Sequence, residues 1–453
     1  MKLLTKKWQI FLYAMSGLGV NMLNLIVGSY LTDALMVEGF KANVENWTYL
    51  NKTLVSAGVW SIMVALAKVL DGVIDIPFAG MTDNLKTRWG KRRPAILMGF
   101  VPMVIAYVLF LCPLTRTQSM ANTIWYGVLL CVFYSFYTLT MVTYYATFAE
   151  VVKDDHDTVL MSNVKSAFDI VYFVLGYALI PMFVGNMNIR LIALMFLPLS
   201  LTMLIPLFMI KEPSTKDADR QKKEDAPQDV KLIPSLAYTL KNKNYMLWMC
   251  AYGLLQFGLQ MFLTAQNVYY SGTLQLTGGQ ITLIMACGFA PVPFTLILYN
   301  AIIKRFGFRT GYLYSLAIFC VAMLFMTFLT KDHFRNDTVR IVLTCCASVL
   351  TSFSLGSFFS VNYIVPAYFA KQDEIKRHVS HAAMFFAVQG LFSGVLTAIA
   401  TGLVWVNLKK SGLSHTMPYF VIGAVVLSFI VTLLLPSFMD TLGRIGKKEQ
   451  KKA

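Results

Sequence analysis

Residues 54–94 read LVSAGVWSIMVALAKVLDGVIDIPFAGMTDNLKTRWGKRRP. About twenty apolar residues are needed to cross a hydrocarbon core of roughly 30 Å, and the run from Leu54 to Met81 is long enough. It stops at a basic cluster of Lys86, Arg88, Lys91, Arg92 and Arg93. An apolar run ending in a basic loop reads as a membrane helix whose loop faces the cytoplasm. Inside the run stand Lys68, Asp71 and Asp75. Each such charge costs roughly 2.5–3.5 kcal/mol at a helix centre, so three facing lipid would cost on the order of 7–10 kcal/mol. They must face protein or water. Their spacing of i, i+3 and i+7 places them within about 60° on one helix face. One lysine and two aspartates sum to a single negative charge. One bound proton or Na⁺ would neutralise the cluster, as a cation-coupling site requires. The plainer alternative, a static salt bridge between Lys68 and one aspartate, leaves the second carboxylate unexplained.

The rest of the chain repeats the pattern of the run. Of its 453 residues, 57% are hydrophobic and 14% charged, against roughly 25% charged in a soluble protein. The bilayer is its expected solvent, and the expected fold is all-α and integral to the membrane. Twelve spans are predicted at 8–34, 54–82, 94–114, 123–149, 160–185, 188–210, 244–271, 279–303, 309–330, 338–366, 381–406 and 416–437. The stretch 211–243 is polar and aperiodic, with an amphipathic segment at 232–241. It reads as a cytoplasmic linker between an N-terminal six-helix bundle (1–210) and a C-terminal one (244–437), with a basic tail at 438–453. The apolar run after Lys7 has no small-residue cleavage site, so it is expected to remain as the first span.

Twelve spans place both termini on one side. That side collects 28 of the 39 Lys and Arg residues and the other side 9, leaving Lys68 and Lys165 within spans. The asymmetry places both termini in the cytoplasm of a plasma membrane of the bacterial inner-membrane type. It also accounts for the formal charge of +16 as a topology signal, so no nucleic-acid partner is expected. The seven cysteines all fall in apolar segments without metal spacing, and are expected to be free, buried thiols. No metal site is expected.

Other spans carry polar residues at helical spacing. Lys165 and Asp169, at i and i+4, can pair on one face. That pair could simply tether helices. It could also serve a ligand, with Lys165 binding a polar substrate and Asp169 holding the lysine in place. The first span has Tyr13, Gly17, Asn21, Asn24 and Gly28, and the fourth has Tyr134, Thr138, Met141 and Tyr145, with Tyr137 and Tyr144 beside them. The seventh has Tyr252, Gln256, Gln260 and Asn267, the tenth is rich in serine, and the eleventh has Gln389. A single such group is commonly an interhelical hydrogen bond. Stripes of Tyr, Asn and Gln on several helices better suit a wet, hydrogen-bonding surface of the kind carbohydrates prefer. No phosphate-binding loop, zinc-protease motif, nucleophile elbow or dinucleotide fingerprint is found. No enzyme activity, catalytic residue or cofactor is expected.

Lys68 to Gly80, followed by Asp83-Asn-Leu-Lys-Thr-Arg88-Trp89-Gly90-Lys91-Arg92-Arg93-Pro94, resembles the glycoside–pentoside–hexuronide:cation symporter family, a branch of the major facilitator superfamily. The resemblance extends to Tyr13 through Asn21 and to Tyr137-Thr138, and over the C-terminal half it rests on span layout. It implies two six-helix bundles, alternating access and a monomer that moves a sugar-like small molecule with H⁺ or Na⁺ across a lipid bilayer. It further implies that Asp71, Asp75 and Thr138 serve the cation beside Lys68, and that Asp83, Arg88, Gly90 and Arg92 form a gating loop. Lys165 stands where the family has a sugar-binding Arg, and Tyr145 where it often has Trp.

Departures matter too. Asn21 and Met141 stand where members carry sugar-binding acids, and Pro77 follows Asp75 by two residues rather than one. Ile74 replaces an Asn near the cation, which weakens the case for Na⁺ and leaves H⁺ more plausible. Gly394 replaces a Lys in the eleventh span. Loss of two acids beside a retained lysine would suit an anionic substrate such as a sugar acid. The expected substrate set is Asn21, Asn24, Met141, Tyr145, Lys165, Asp169, Gln256, Gln260, Asn267 and Gln389. A lipid or lysolipid carrier is an alternative on the same fold, suggested by 25 Met and 33 Phe. A non-transporting sensor is another.

Overall fold

The computed structural model describes residues 6–41, 44–83, 85–147, 151, 155–210, 212, 239–334, 336–377 and 382–435. Among these the regular structure is helical, without strands, and twelve helices are long and apolar enough to cross a membrane. They are α1 (Lys7–Leu35), α2 (Ala57–Asp83), α3 (Arg92–Phe110), α4 (Met120–Ala146), α5 (Asp155–Val174, continued to Val184), α6 (Ile189–Met209), α7 (Lys243–Thr273), α8 (Gly278–Phe306), α9 (Phe308–Phe328), α10 (Asp337–Arg377), α11 (Ala382–Thr397, continued to Lys410) and α12 (Met417–Leu433). Local chemistry fixes several of the starts. The side chains of Ser119, Asn188 and Asn242 accept backbone N–H bonds at the heads of α4, α6 and α7. Such caps satisfy donors that a helix leaves open at its start. Thr277 and Gln280 form a reciprocal capping box at the head of α8.

Backbone contacts divide the chain into two units, Met1–Glu38 with Asn43–Val230, and Gly39–Ala42 with Lys231–Ala453. In the first, α4 packs on α2 and α3, while α1 packs on α5 and α6. In the second, α10 packs on α8 and α9, while α7 packs on α11 and α12. The scheme repeats with an offset of six helices. Corresponding helices also share a defect: α5 contains a π-helical turn at Leu175–Leu179, and α11 one at Ala398–Trp405. Such turns insert an extra residue and mark functional stretches more often than chance.

Phe208, Phe294 and Ile297 are all more than two-thirds exposed, which inverts the soluble-protein pattern and suits a lipid solvent. The same inversion corrects the expectation for the cysteines. All seven are free, but none is buried, and Cys112, Cys250 and Cys346 are exposed. An apolar segment in a bilayer protein has an apolar outside, so lying in one does not imply burial.

Two helix ends also differ from expectation. α10 runs to Arg377, so Lys371, Lys376 and Arg377 lie on a helix rather than in a loop. α11 runs to Lys410, and Lys409 is fully buried with its Nζ 4.7 Å from the Phe40 ring centroid. Apart from Glu212 and 239–243, the expected linker lies outside the described residues, as does the basic tail.

Candidate functional site

Two clusters of charged residues lie in the first unit, and α4 touches both. In the first cluster, Lys68, Asp71 and Asp75 are each half-buried on α2. Thr138 Oγ1 on α4 donates to Asp71 Oδ1 at 2.7 Å. The Lys68 ammonium lies 3.9 Å from the centroid of the Tyr134 ring, within cation–π range. Lys68 and Asp71 are about one turn apart on α2, and Tyr134 and Thr138 one turn apart on α4. The helices therefore meet in parallel register, lysine on ring and carboxylate on hydroxyl.

The static salt bridge considered for Lys68 does not form. Among the described residues no ion pair joins Lys68 to Asp71 or Asp75. Asp75 has neither a hydrogen bond nor an ion pair among them. The nearest charge it feels is that of Asp71. A carboxylate beside a second carboxylate, with no donor of its own, is stabilised by a cation.

The second cluster joins α1, α4 and α5. Lys165 and Asp169 form an ion pair within α5. Asn21 Nδ2 on α1 donates to Asp169 Oδ1 at 3.0 Å, and Tyr137 OH on α4 donates to Asn21 Oδ1 at 3.1 Å. The Lys165 ammonium lies 5.4 Å from the Tyr145 ring centroid. Gly17 makes room for this lysine: a Cβ there would stand 3.2 Å from Lys165 Cε and 3.6 Å from Met141 Cε. Met141 is buried, whereas Tyr145 is 45% exposed. Asn24, one turn beyond Asn21, is half-buried, and its Oδ1 is buried without a hydrogen bond among the described residues.

The other expected substrate residues belong to the second unit. Gln256 Nε2 donates to Tyr252 OH at 2.6 Å within α7, and Gln260 is half-buried. Asn267 is fully buried, and neither of its amide atoms is hydrogen-bonded among the described residues. Gln389 is buried on α11.

The loop motif is organised around a residue that sequence reading did not single out. Glu212 accepts from the backbone N–H of Arg92 at 2.9 Å, at the head of α3, where a carboxylate also favours the helix dipole. Gly90, at φ +86°, sits so close that a Cβ would come 2.1 Å from Glu212 Oε2. Its positive φ and this contact both demand glycine. Arg88 is exposed and Arg92 buried. Asp83 closes α2, and its side chain lies outside the described ones.

Tyr134 was legible only as one member of a polar stripe; the matching one-turn spacings on α2 and α4 could have marked it. Asp33, fully buried on α1, was also missed, although an acid inside an apolar run is itself a signal.

Comparison with known proteins places these clusters in context. A family model described as MFS/sugar transport protein matches residues 12–439. The lactose permease of Lactobacillus helveticus is 30% identical over 106 residues, covering 22% of this chain and 16% of that protein. The matched stretch is thus a small part of that permease. Among solved structures, the nucleoside transporter NupG superposes with a TM-score of 0.66 at 13% identity, over 94% of this chain and 98% of that one. A bacterial homologue of the iron transporter ferroportin gives 0.58 at 13% identity, over 95% and 99%. At these identities the likeness to both is one of fold.

Proposed function

The chain belongs to the MFS/sugar transport protein family, and within it we propose a cation-coupled symporter of a sugar or glycoside-like solute that works by alternating access. It is a multi-pass membrane transporter, and the finer assignment rests on the first cluster. Asp71 and Asp75, with Thr138, hold the coupling cation, H⁺ or Na⁺, and Lys68 supplies a fixed positive charge beside it. The second cluster holds the solute. The positive-inside asymmetry supports two cytoplasmic termini in a plasma membrane.

One observation carries this reading. Lys68 is held on the Tyr134 ring at 3.9 Å instead of closing on a carboxylate. Asp75 therefore keeps its oxygens for a mobile cation. A group meant only to neutralise the acids would sit between them. Cation binding and release then change the charge of the α2 face, and α4 carries that change toward Asn21 through Tyr137.

The test is thermal stability of the purified full chain with neutral sugars and glycosides, with and without Na⁺ and at two pH values. Ligand linkage raises stability once the concentration passes the dissociation constant. The expected result is stabilisation by a sugar that strengthens with Na⁺ or with protons. Sugar stabilisation indifferent to both cations would remove the coupling role.

A further inference from the structure

We propose that the Lys165–Asp169–Tyr145 site selects neutral, hydroxyl-rich sugars and turns away sugar acids. This narrows the sugar reading above and rests on it. Residue types alone pointed the other way, since a retained lysine beside two lost acids suits an anion. The geometry reverses that. The Lys165 side chain is 6% exposed and its partner Asp169 is 34% exposed. The cation lies underneath and the anion on top.

How Asp169 spends its oxygens points to the ligand. Its Oδ1 receives both the Lys165 ammonium and the Asn21 amide. Its Oδ2 receives no donor among the described residues, and it is absent from the buried atoms that lack one. An accessible carboxylate oxygen without a donor accepts hydroxyl protons, and charge-assisted bonds of this kind are among the strong ones. Beside it, the 45% exposed Tyr145 ring offers a flat apolar surface. A sugar presents C–H bonds on one face and hydroxyls on its edge, which match a ring and a carboxylate. A ligand carboxylate would meet the Asp169 charge first, and like charges a few ångströms apart repel. It could reach Lys165 only by displacing Asp169. Asn21, which looked like a lost acid, donates to Asp169 and so helps hold the carboxylate in place.

Matched pairs test this: glucose against glucuronate, galactose against galacturonate, and methyl glucoside against methyl glucuronide. Each is titrated into the full chain at fixed pH and ionic strength, and affinity is read from the thermal shift relative to the same protein without sugar. The neutral member should bind about tenfold tighter or better, a difference of about 1.4 kcal/mol. Asp169→Asn should move the ratio toward the acid by about tenfold, because it removes the exposed charge and leaves Lys165 uncompensated. A wild-type protein that binds the acid as tightly as its neutral partner overturns the proposal without any variant, and leaves the sugar reading standing. An unchanged ratio in Asp169→Asn overturns it as well. If no member of any pair binds, the sugar reading itself falls, and this proposal with it.

Discussion

The first unit holds the same pair of residue types twice, with opposite outcomes. On α5, Lys165 and Asp169 close into an ion pair. On α2, Lys68 and Asp71 stay apart, one on the Tyr134 ring and the other on the Thr138 hydroxyl. Spacing permits pairing in both, since i,i+3 and i,i+4 residues are neighbours on a helix surface. The difference comes from α4. It presents to α2 a π-face for the cation and a hydroxyl for the anion, one turn apart, so each charge has a partner of its own. To the second cluster it presents Tyr137, whose hydroxyl goes to Asn21, and Tyr145, which lies beside a pair already formed. A closed pair is neutral with or without a ligand. Two separated charges beside a third carboxylate that has no partner among the described residues are not, and that makes the α2 cluster the responsive one.

If this contrast is correct, the largest effect belongs to Asp71→Asn. It should abolish gradient-driven accumulation of solute in proteoliposomes, while the purified protein keeps its helical circular dichroism. The α5 pair should behave as a structural pair under a double-mutant cycle. Asp169→Asn, which strands a buried ammonium, should destabilise by up to about 3 kcal/mol in chemical denaturation, and Lys165→Met in the same background should recover part of that loss. A simple sum of the two effects would show that the pair is not closed. Thr138→Val removes a hydrogen bond to a charged group and should cost about 1.5–3 kcal/mol. Tyr134→Leu should cost about 0.5–2 kcal/mol and Tyr134→Phe less, because phenylalanine keeps the ring face under Lys68 and loses only the hydroxyl, which also bonds the ammonium. Equal losses in the two Tyr134 variants would break the cation–π assignment. Tyr137→Phe should be the mildest, at about 1 kcal/mol for one neutral hydrogen bond.

The helical architecture was legible because its signals are local. Twelve apolar runs are visible one by one, and the Lys165–Asp169 pair needs only one helix. What was not legible depends on contacts between distant segments. Nothing near Lys68 in the chain says that it will rest on Tyr134, or that Glu212 will close over Gly90 from 122 positions away. The seventh-span stripe meets the same limit. Gln256 and Tyr252 bond to each other one turn apart, and Asn267 is fully buried. Polar spacing on a helix shows which residues share a face, and says nothing about whether water reaches it. The cysteines failed for a related reason, since an apolar environment in a bilayer lies on either side of the helix.

The contrast between the clusters rests most heavily on Asp75, the carboxylate without a hydrogen bond or ion pair among the described residues. Proteoliposomes holding wild type or Asp75→Asn are given an imposed inward gradient of protons or Na⁺. The probe is a labelled neutral glycoside shown by thermal shift to bind the wild type. Accumulation above equilibrium and gradient-free exchange are measured in the same preparation. Wild type should concentrate the glycoside, and Asp75→Asn should exchange it but reach only equilibrium. Accumulation by Asp75→Asn equal to that of wild type would contradict a coupling role for the acidic pair.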